Sequence, residues 1–276
     1  MIDDLTRRFT VDGVTLHWDR WGTPSGVPFL LCHGFSGSAH DFALNIEALV
    51  ADREVLAIDH RGHGRSEKLG GVERYSIDRI AEDVIAFIDS EVGGPVDLLG
   101  HSMGGSIALR VTLARPDLVR SLILMDTSAW SFIPPDSAIA ELMGGFVRAF
   151  DPAGGLPDLS AFENPENALI EAATPAEWQA VKARMDAAFD PYALKALGTE
   201  LFAEGTQWIR ERLGTIACPV SVIVGEHDHP FVDQAPELAR ATGDGLLAVI
   251  PGAYHSPQLT HAAEWAAAVH GHFARS

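Results

Sequence analysis

Short apolar runs alternate with amphipathic stretches along most of the chain. Continuous apolar runs indicate strands covered on both faces, whereas apolar residues at every third or fourth position indicate helices. The predicted strands are two within 8–21 around a turn at Asp12-Gly13, then Phe29–Cys32, Glu54–Ile58, Val96–Leu99, Leu122–Met125, Val220–Val224 and Leu246–Ile250. The predicted helices are Ala39–Val50, one opening at Ser76, Met103–Leu113, Gln234–Thr242 and Thr260–Phe273. This alternation predicts a mostly parallel sheet with helices on both faces, which is an α/β fold.

The alternation stops in the middle of the chain. Residues 130–198 contain no convincing strand pattern and combine Pro, Gly, helical stripes and many aromatic residues. We interpret this segment as a helical cap, or lid, inserted over one end of the sheet. The core domain would then comprise residues 1–129 and 199–276, with the cap formed by 130–198.

Charge and composition restrict the partners of the protein. The chain of 276 residues has a formal net charge of −18, which disfavours binding to nucleic acid and to anionic membrane surfaces. Its beginning has no apolar signal-peptide core, and no apolar run approaches the roughly 20 residues of a membrane span. We therefore expect a cytoplasmic protein without membrane insertion. The sequence is compatible with either a monomer or a homo-oligomer.

The strongest local motif is Gly100-His101-Ser102-Met103-Gly104-Gly105. It lies between a predicted strand and a predicted helix, where a G-x-S-x-G turn holds its serine in a strained, exposed position. Gly at the flanking positions allows close backbone approach. The alternative is an ordinary glycine-rich turn, and the placement between strand and helix favours a nucleophilic Ser102.

Three other loops follow predicted strands, at the sheet edge where α/β proteins gather their ligands. In the His33-Gly34-Phe35 turn, the backbone N–H of Phe35 could stabilise an oxyanion together with that of Met103 at a helix start. The other two loops carry Asp228 and His255. The order Ser, Asp, His is the one expected when a nucleophile elbow begins the triad.

Two further segments have competing interpretations. Asp126 ends the strand Leu122–Met125 and is the alternative to Asp228 as the acid, although it could also cap a turn. The segment 59–66, DHRGHGRS, is rich in charged residues, but Asp and Ser commonly bond turn amides, and we favour a structural role. His60 and His63 have no Cys or carboxylate partner at metal-ligand spacing. No metal site is predicted.

Taken together, the HGF, DHRGHGRS, GHSMGG and GEHD motifs and the late His255 resemble the α/β-hydrolase superfamily in content and order. The resemblance implies an eight-stranded, mostly parallel sheet with one antiparallel strand near its start, and a helical cap after strand six. It assigns the nucleophile to Ser102, the acid to Asp228 and the base to His255. Serine at position 102 argues against the dehalogenases and epoxide hydrolases of this fold, which use Asp there.

These residues predict a serine hydrolase that cleaves a small to medium hydrophobic carboxylic ester through an acyl-enzyme, without cofactor or metal. The predicted substrate is a small hydrophobic ester or ketone. The alternatives are a carbon–carbon bond hydrolase acting on ring-cleavage products, a lactonase, a cofactor-free oxidative activity, or a ligand receptor that retains the triad. The candidate pocket residues are His33, Trp130, Phe132, Met143 and Phe146. Further aromatic residues and methionines of the insertion and its flanks that could reach substrate are Phe150, Phe162, Trp178, Met185, Phe189, Phe202 and Trp208.

Overall fold

The structure is a computed structural model that describes residues 6–24, 26–50, 53–130, 132, 138–157, 165–204, 207–243 and 245–275. Eight strands form one sheet in the order β1-β2-β4-β3-β5-β6-β7-β8. The strands are β1 Thr6–Val11, β2 Val14–Trp21, β3 Phe29–Cys32, β4 Val55–Ile58, β5 Val96–His101, β6 Val119–Met125, β7 Val220–Gly225 and β8 Leu246–Ile250. Strand β2 is antiparallel to both of its neighbours, and all pairs from β4 to β8 are parallel. The predicted sheet is confirmed.

Ten α-helical segments lie in the described residues. They are α1 Ile77–Phe87, α2 Met103–Ala114, α3 Ala138–Ala149, α4 Glu166–Ala173, α5 Ala176–Ala187, α6 Pro191–Thr199, α7 Gln207–Arg212, α8 Phe231–Ala241, α9 Pro257–Thr260 and α10 Ala262–Phe273. No helix in this part of the chain has the length and apolarity that a membrane crossing requires.

Two hydrophobic cores cover the two faces of the sheet, because side chains alternate along each strand. In β3, Leu30 and Cys32 belong to the core that includes α1 and α2, whereas Phe29 and Leu31 belong to the core that includes α10. All four side chains are fully buried. Double-sided burial explains why this strand is a continuous apolar run rather than an alternating one.

The segment that follows β3 differs from its prediction in the type of helix. Residues Ala39–Ala48 form a 3₁₀ helix instead of an α-helix. Four consecutive residues, 39–42, are buried, so this short segment contacts protein on several sides and has no single amphipathic face. On one of those sides lies α5, since the His40 and Trp178 rings stack with centroids 5.1 Å apart.

The described residues between β6 and β7 form helices, from α3 to α7, joined by loops and without a strand, and the helices continue beyond residue 198. Contacts on two sides attach this segment to the rest of the molecule. Trp178 Nε1–H donates to the His40 carbonyl and His40 Nε2–H donates to the Trp178 carbonyl, both at 3.1 Å. Before α6, the Asp190 carboxylate accepts hydrogen bonds from Leu69 N–H at 3.0 Å and from the Tyr75 hydroxyl at 2.5 Å. The division into core and cap domains remains our interpretation.

Candidate active site

Ser102 occupies the turn between β5 and α2 in a strained backbone conformation. Its φ of 54° and ψ of −119° lie in a region that L-residues rarely adopt. The turn is held from both sides, because Ser102 N–H donates to the Met125 carbonyl at 2.9 Å and the Thr127 hydroxyl donates to the Ser102 carbonyl at 2.6 Å. The strain is therefore maintained by two bonds from the β6 end of the sheet.

Glycines are required around this turn by close packing. A Cβ at Gly104 would overlap the Cys32 carbonyl, and a Cβ at Gly100 would overlap the Gly104 carbonyl. A Cβ at Gly34 would lie 3.1 Å from Ser102 Cβ and 3.3 Å from His101 Nδ1, tighter than almost all real contacts. The His33-Gly34-Phe35 turn thus lies directly against the turn that carries Ser102.

Asp228 and His255 are joined by a hydrogen bond. His255 Nδ1–H donates to Asp228 Oδ2 at 2.9 Å; the His255 side chain is 32% exposed and the Asp228 side chain 8%. Burial alone would lower the pKa of His255, but the negative charge and hydrogen bond of Asp228 outweigh it, so the pKa is raised. This bond selects the tautomer that leaves Nε2 unprotonated when the ring is neutral.

The two loops that carry these residues are held together by their backbones. Glu226 N–H donates to the Ile250 carbonyl at 3.0 Å, and His227 N–H donates to the Ala253 carbonyl at 2.8 Å. The Glu226 carboxylate accepts from Gly252 N–H at 2.8 Å, so it braces the loops. The pairing of β7 with β8 therefore brings residues 228 and 255 within reach of each other.

Asp126 lies beside Asp228 and does not reach His255 by a hydrogen bond. Its Oδ1 accepts from Gly225 N–H at 2.8 Å, and the side chain is fully buried. Burial and the nearby Asp228 carboxylate raise its pKa well above the usual range, and its Oδ2 is buried without a hydrogen-bond partner within the described ranges. A protonated Asp126 would avoid placing a second buried negative charge beside Asp228. The two residues that the sequence presents as rivals are thus neighbours.

His101, the residue before Ser102, connects the elbow with the His255 loop. Its ring lies 4.9 Å from that of His255 between centroids, and His101 Nε2–H donates to the His255 carbonyl at 2.8 Å. Burial lowers the pKa of His101 to about 3, so the ring is a neutral donor. Among the described residues, no hydrogen bond joins the Ser102 hydroxyl to the His255 ring.

Two backbone N–H groups beside Ser102 have no acceptor among the described residues. They belong to Phe35 and Met103. Met103 is the first residue of α2, where the helix dipole favours negative charge. The Phe35 ring is held edge-on by Phe189 and Phe202 from the helical segment, with centroids 5.5 Å and 5.7 Å away. Two N–H donors without acceptors can bind the negatively charged oxygen of a tetrahedral intermediate.

A third carboxylate approaches His255 from the helical segment. Glu166, the first residue of α4, is 2% exposed, and its Oε1 accepts from Ser256 N–H at 2.5 Å. Burial raises the pKa of Glu166, and its charge contributes to raising that of His255. Its sequence neighbourhood carries no recognisable motif, which is why sequence reasoning missed it.

Comparison with known proteins identifies the family. A family model described as alpha/beta hydrolase fold matches residues 27–262. The chain belongs to the α/β-hydrolase fold family. It is 31% identical to a putative carbamate hydrolase, RutD, of Variovorax paradoxus over 90% of this chain and 92% of that protein. The membership and the hydrolase names of relatives support an enzyme of the hydrolase class.

Other matches cover different lengths. The dihydrolipoyllysine-residue acetyltransferase component of an acetoin cleaving system from Pseudomonas putida is 35% identical over 50% of this chain, which is 36% of that protein. The structure of Est816, described as an N-acyl homoserine lactone degrading enzyme, is similar with a TM-score of 0.73, 27% identity and coverage of 96% and 99%. A thermophilic esterase from Thermogutta terrifontis has a TM-score of 0.74 at 24% identity, covering 98% of each chain.

Within this α/β-hydrolase site, the predicted pocket residues have different surroundings. Phe132 is buried edge-on against Phe231, at 5.0 Å between centroids, and Phe231 in turn stacks on His255 at 5.3 Å. Trp130 is partly buried with the Arg210 guanidinium 5.6 Å from its ring centroid. Phe132 therefore approaches the site through Phe231, a residue of α8 that the sequence analysis did not select.

The other predicted pocket residues are His33, Met143 and Phe146, and in the part of the chain that the structure describes no ring contact or hydrogen bond joins them to His255 or Phe231. His33 is fully buried; Nδ1–H donates to the Gly34 carbonyl at 2.8 Å and Nε2 accepts from His60 N–H at 3.0 Å, so the backbone occupies both nitrogens. These bonds show that His33 supports the turn, and its contact with substrate stays a prediction. On α3, Phe146 stacks on Phe150 and Met143 is partly buried.

Sequence reasoning passed over another α3 residue at the site. Val147 lies 3.3 Å from where a Cβ of Gly198 would be, and the Phe35 ring lies 3.6 Å from that point, so Val147 and Phe35 approach the same position on α6. Phe162 and the side chain of Trp208 lie outside the described residues.

The DHRGHGRS segment is structural, as predicted. Asp59 accepts hydrogen bonds from Ala39 N–H at 2.7 Å and from Arg65 Nε at 2.8 Å, and Ser66 donates to the Asp59 carbonyl at 2.5 Å. Burial would raise the pKa of Asp59, but Arg65 outweighs it, so the pKa is lowered. In the described part of the chain, no group of three or more His, Cys, Asp or Glu residues could hold a metal ion.

Proposed function

We propose that the protein is a serine hydrolase that cleaves an uncharged carboxylic ester of modest size, with Ser102, His255 and Asp228 as its catalytic triad. One observation carries this proposal. A strained Ser102 lies beside two backbone N–H groups without acceptors, and the neighbouring loop presents a His255 ring whose Nδ1–H is bonded to Asp228. Nucleophile, oxyanion donors and base are the components of acyl transfer.

The reaction proceeds through a covalent acyl-enzyme. Ser102 Oγ attacks the ester carbonyl carbon while His255 Nε2 takes its proton, and Asp228 stabilises the resulting imidazolium. The oxyanion of the tetrahedral intermediate accepts hydrogen bonds from Phe35 and Met103 N–H. Collapse breaks the ester C–O bond, and His255 protonates the departing alkoxide. Water then attacks the acyl-enzyme with His255 as base, releasing the carboxylic acid.

The Ser102–His255 hydrogen bond forms when substrate is bound. Catalytic hydrogen bonds are often long in ligand-free enzymes and tighten in the Michaelis complex. The His255 ring already lies against His101, the residue adjacent to Ser102. A rotation of the Ser102 side chain or a shift of the His255 ring would join them.

Charge favours a neutral ester over the carboxylate-bearing products of ring cleavage. All 20 Lys and Arg residues of the chain fall within the described ranges, and the charged groups that shift the pKa of His255 are two carboxylates. Among the cations of the helical segment, Lys182 pairs with Asp41 and Asp186, and Lys195 Nζ donates to the carbonyls of Val147, Arg148 and Phe150. The four arginines of the segment, Arg148, Arg184, Arg210 and Arg212, are exposed. The charges around His255 therefore favour a neutral acyl group over an anionic one.

A lactone is the second candidate. It is an uncharged cyclic ester that the same acyl transfer would open, and the similarity to Est816 extends over 96% of this chain at 27% identity. The carbamate named for the Variovorax paradoxus relative has the same type of acyl carbonyl and belongs in the same assay.

A substrate panel tests the proposal. It comprises nitrophenyl acetate, butyrate and octanoate, the nitrophenyl half-ester of succinic acid, an N-acyl homoserine lactone, an alkyl carbamate and a ring-cleavage ketone carrying carboxylates. We expect steady-state turnover of the neutral esters, with kcat/KM for butyrate at least about tenfold above that for the half-ester, a difference of about 1.4 kcal/mol. The half-ester has nearly the same length and serves as the matched charge control.

Three outcomes would contradict the proposal. Full retention of ester turnover in Ser102→Ala would remove Ser102 from its role. A single burst without turnover would favour a ligand receptor, and preference for the carboxylate-bearing ketone would favour carbon–carbon bond hydrolysis.

A further inference from the structure

We infer that Glu166 is a positioning residue of the active site, through which the helical segment supplies a second carboxylate to His255 and fixes the backbone of its loop. The inference rests on the proposed function of His255 as the general base. It extends that function, because part of the catalytic electrostatics would then come from the helical segment rather than from the sheet edge that carries the triad.

The geometry at Glu166 supports this role. The carboxylate is 2% exposed, and Oε1 accepts from the N–H of Ser256, the residue directly after His255, at 2.5 Å. Glu and Asp are almost never fully buried unless they are paired. Here the bonded N–H belongs to the loop of the general base, so removing Glu166 would release that loop on one side.

The charges around His255 come from several elements. Asp228 approaches from the loop after β7, Glu166 from α4 and the neutral His101 from the end of β5, with Asp126 behind Asp228. The Phe231 ring covers another side and carries no charge. Since no described Lys or Arg offsets these carboxylates at His255, a charge added or removed at position 166 acts on the imidazolium directly.

The consequence for catalysis follows from the reaction sequence. His255 becomes an imidazolium in both tetrahedral transition states, so a nearby carboxylate stabilises those states more than the neutral resting ring. The pKa of His255 is raised in the structure, with Glu166 contributing after Asp228. The helical segment would therefore increase kcat through the charge of Glu166.

Glu166→Gln separates charge from hydrogen bonding, because the amide oxygen can still accept from Ser256 N–H. We expect kcat for nitrophenyl butyrate to fall about five- to tenfold, a loss near 1 kcal/mol, with KM changed less. The acid limb of the kcat/KM profile should move to lower pH, since the neutral base persists further into acid. Glu166→Asp keeps the charge and should keep the wild-type pH profile.

Glu171→Gln is the matched control. Glu171 lies on the same helix and is exposed, so this variant removes the same charge at the surface. Its pH profile should coincide with that of the wild type. An equal shift in Glu171→Gln, or a Glu166→Gln profile that superimposes on the wild type, would overturn the inference.

A measurement without turnover separates this inference from the proposed function. The His255 ring is titrated by NMR in the wild type and in Glu166→Gln, with the resonance assigned through His255→Asn. A lower His255 pKa in Glu166→Gln supports the inference, and an unchanged one refutes it. If the wild type hydrolyses none of the esters, the proposed function fails while this titration still decides the role of Glu166.

Discussion

Replacing Asp126 by Asn tests how the two neighbouring carboxyl groups divide their roles. Asp126 is fully buried, its Oδ1 accepts from Gly225 N–H at 2.8 Å, and burial followed by the charge of Asp228 raises its pKa well above the usual range. A neutral acid would thus be exchanged for a neutral amide of the same shape. Asn keeps an oxygen for Gly225 N–H and removes no charge from the site, so Asp126→Asn should retain most activity.

The magnitudes separate the possible roles clearly. Asp126→Asn should lower kcat less than tenfold, about 1.4 kcal/mol. Asp228→Asn removes the charge that orients His255, which in a serine protease triad costs about 10⁴ in kcat. Asp126→Leu leaves the buried Gly225 N–H without its acceptor and should destabilise the fold by about 1–3 kcal/mol.

The same variant changes the pH dependence of stability. A carboxyl whose pKa is raised on folding stabilises the protein fully below the unfolded value of about 3.9, and this contribution is lost as pH rises through the folded pKa. Asp126→Asn has no such loss, so its free energy of unfolding relative to wild type should increase with pH. Urea unfolding at about pH 6 and about pH 9 measures it.

Steady-state kinetics on nitrophenyl butyrate decide the catalytic part. A larger loss of kcat in Asp126→Asn than in Asp228→Asn would reverse the two roles and refute our assignment of the acid. A stability difference that shrinks as pH rises would refute the protonated state of Asp126.

Three other outcomes are expected. Ser102→Ala should lower kcat for esters by at least about 10⁴-fold, as loss of a triad nucleophile does, and should leave the urea midpoint unchanged. A rate comparable to that of the wild type would exclude Ser102 as the nucleophile. Gly34→Ala should lower kcat about 10- to 100-fold, because the new Cβ would crowd Ser102. Gly94→Ala is the control and should keep kcat, since no atom lies within 4 Å of a Cβ there. Equal losses of kcat in the two variants would contradict the packing explanation. Because the pKa of His255 is raised, kcat/KM should rise with pH through a pKa above the reference value for His of about 6.5. A midpoint of the profile below about 6.5 would contradict the pairing of His255 with Asp228.

Local pattern was sufficient for the sheet and for most of the candidate site. Strand β3 is a purely apolar run because both of its faces are buried, and this signal is visible without knowing what covers it. The GHSMGG motif likewise identified Ser102, since a strained turn between strand and helix requires glycines at nearby positions in sequence. In each case the physical constraint acts within a few residues.

The remaining features of the site depend on long-range packing. Asp126 and Asp228 are separated by about a hundred positions, and each lies past the carboxyl end of a strand, so only the pairing of β6 with β7 reveals that they are neighbours. Glu166 reaches Ser256 through the placement of α4, and His33 Nε2 accepts from the N–H of His60, which lies outside the motif of His33. Sequence alone therefore determined the elements and the residue types of the site, because strand burial and turn strain are local. Which carboxylates surround His255 depended on tertiary contacts, because charge acts through space and not along the chain.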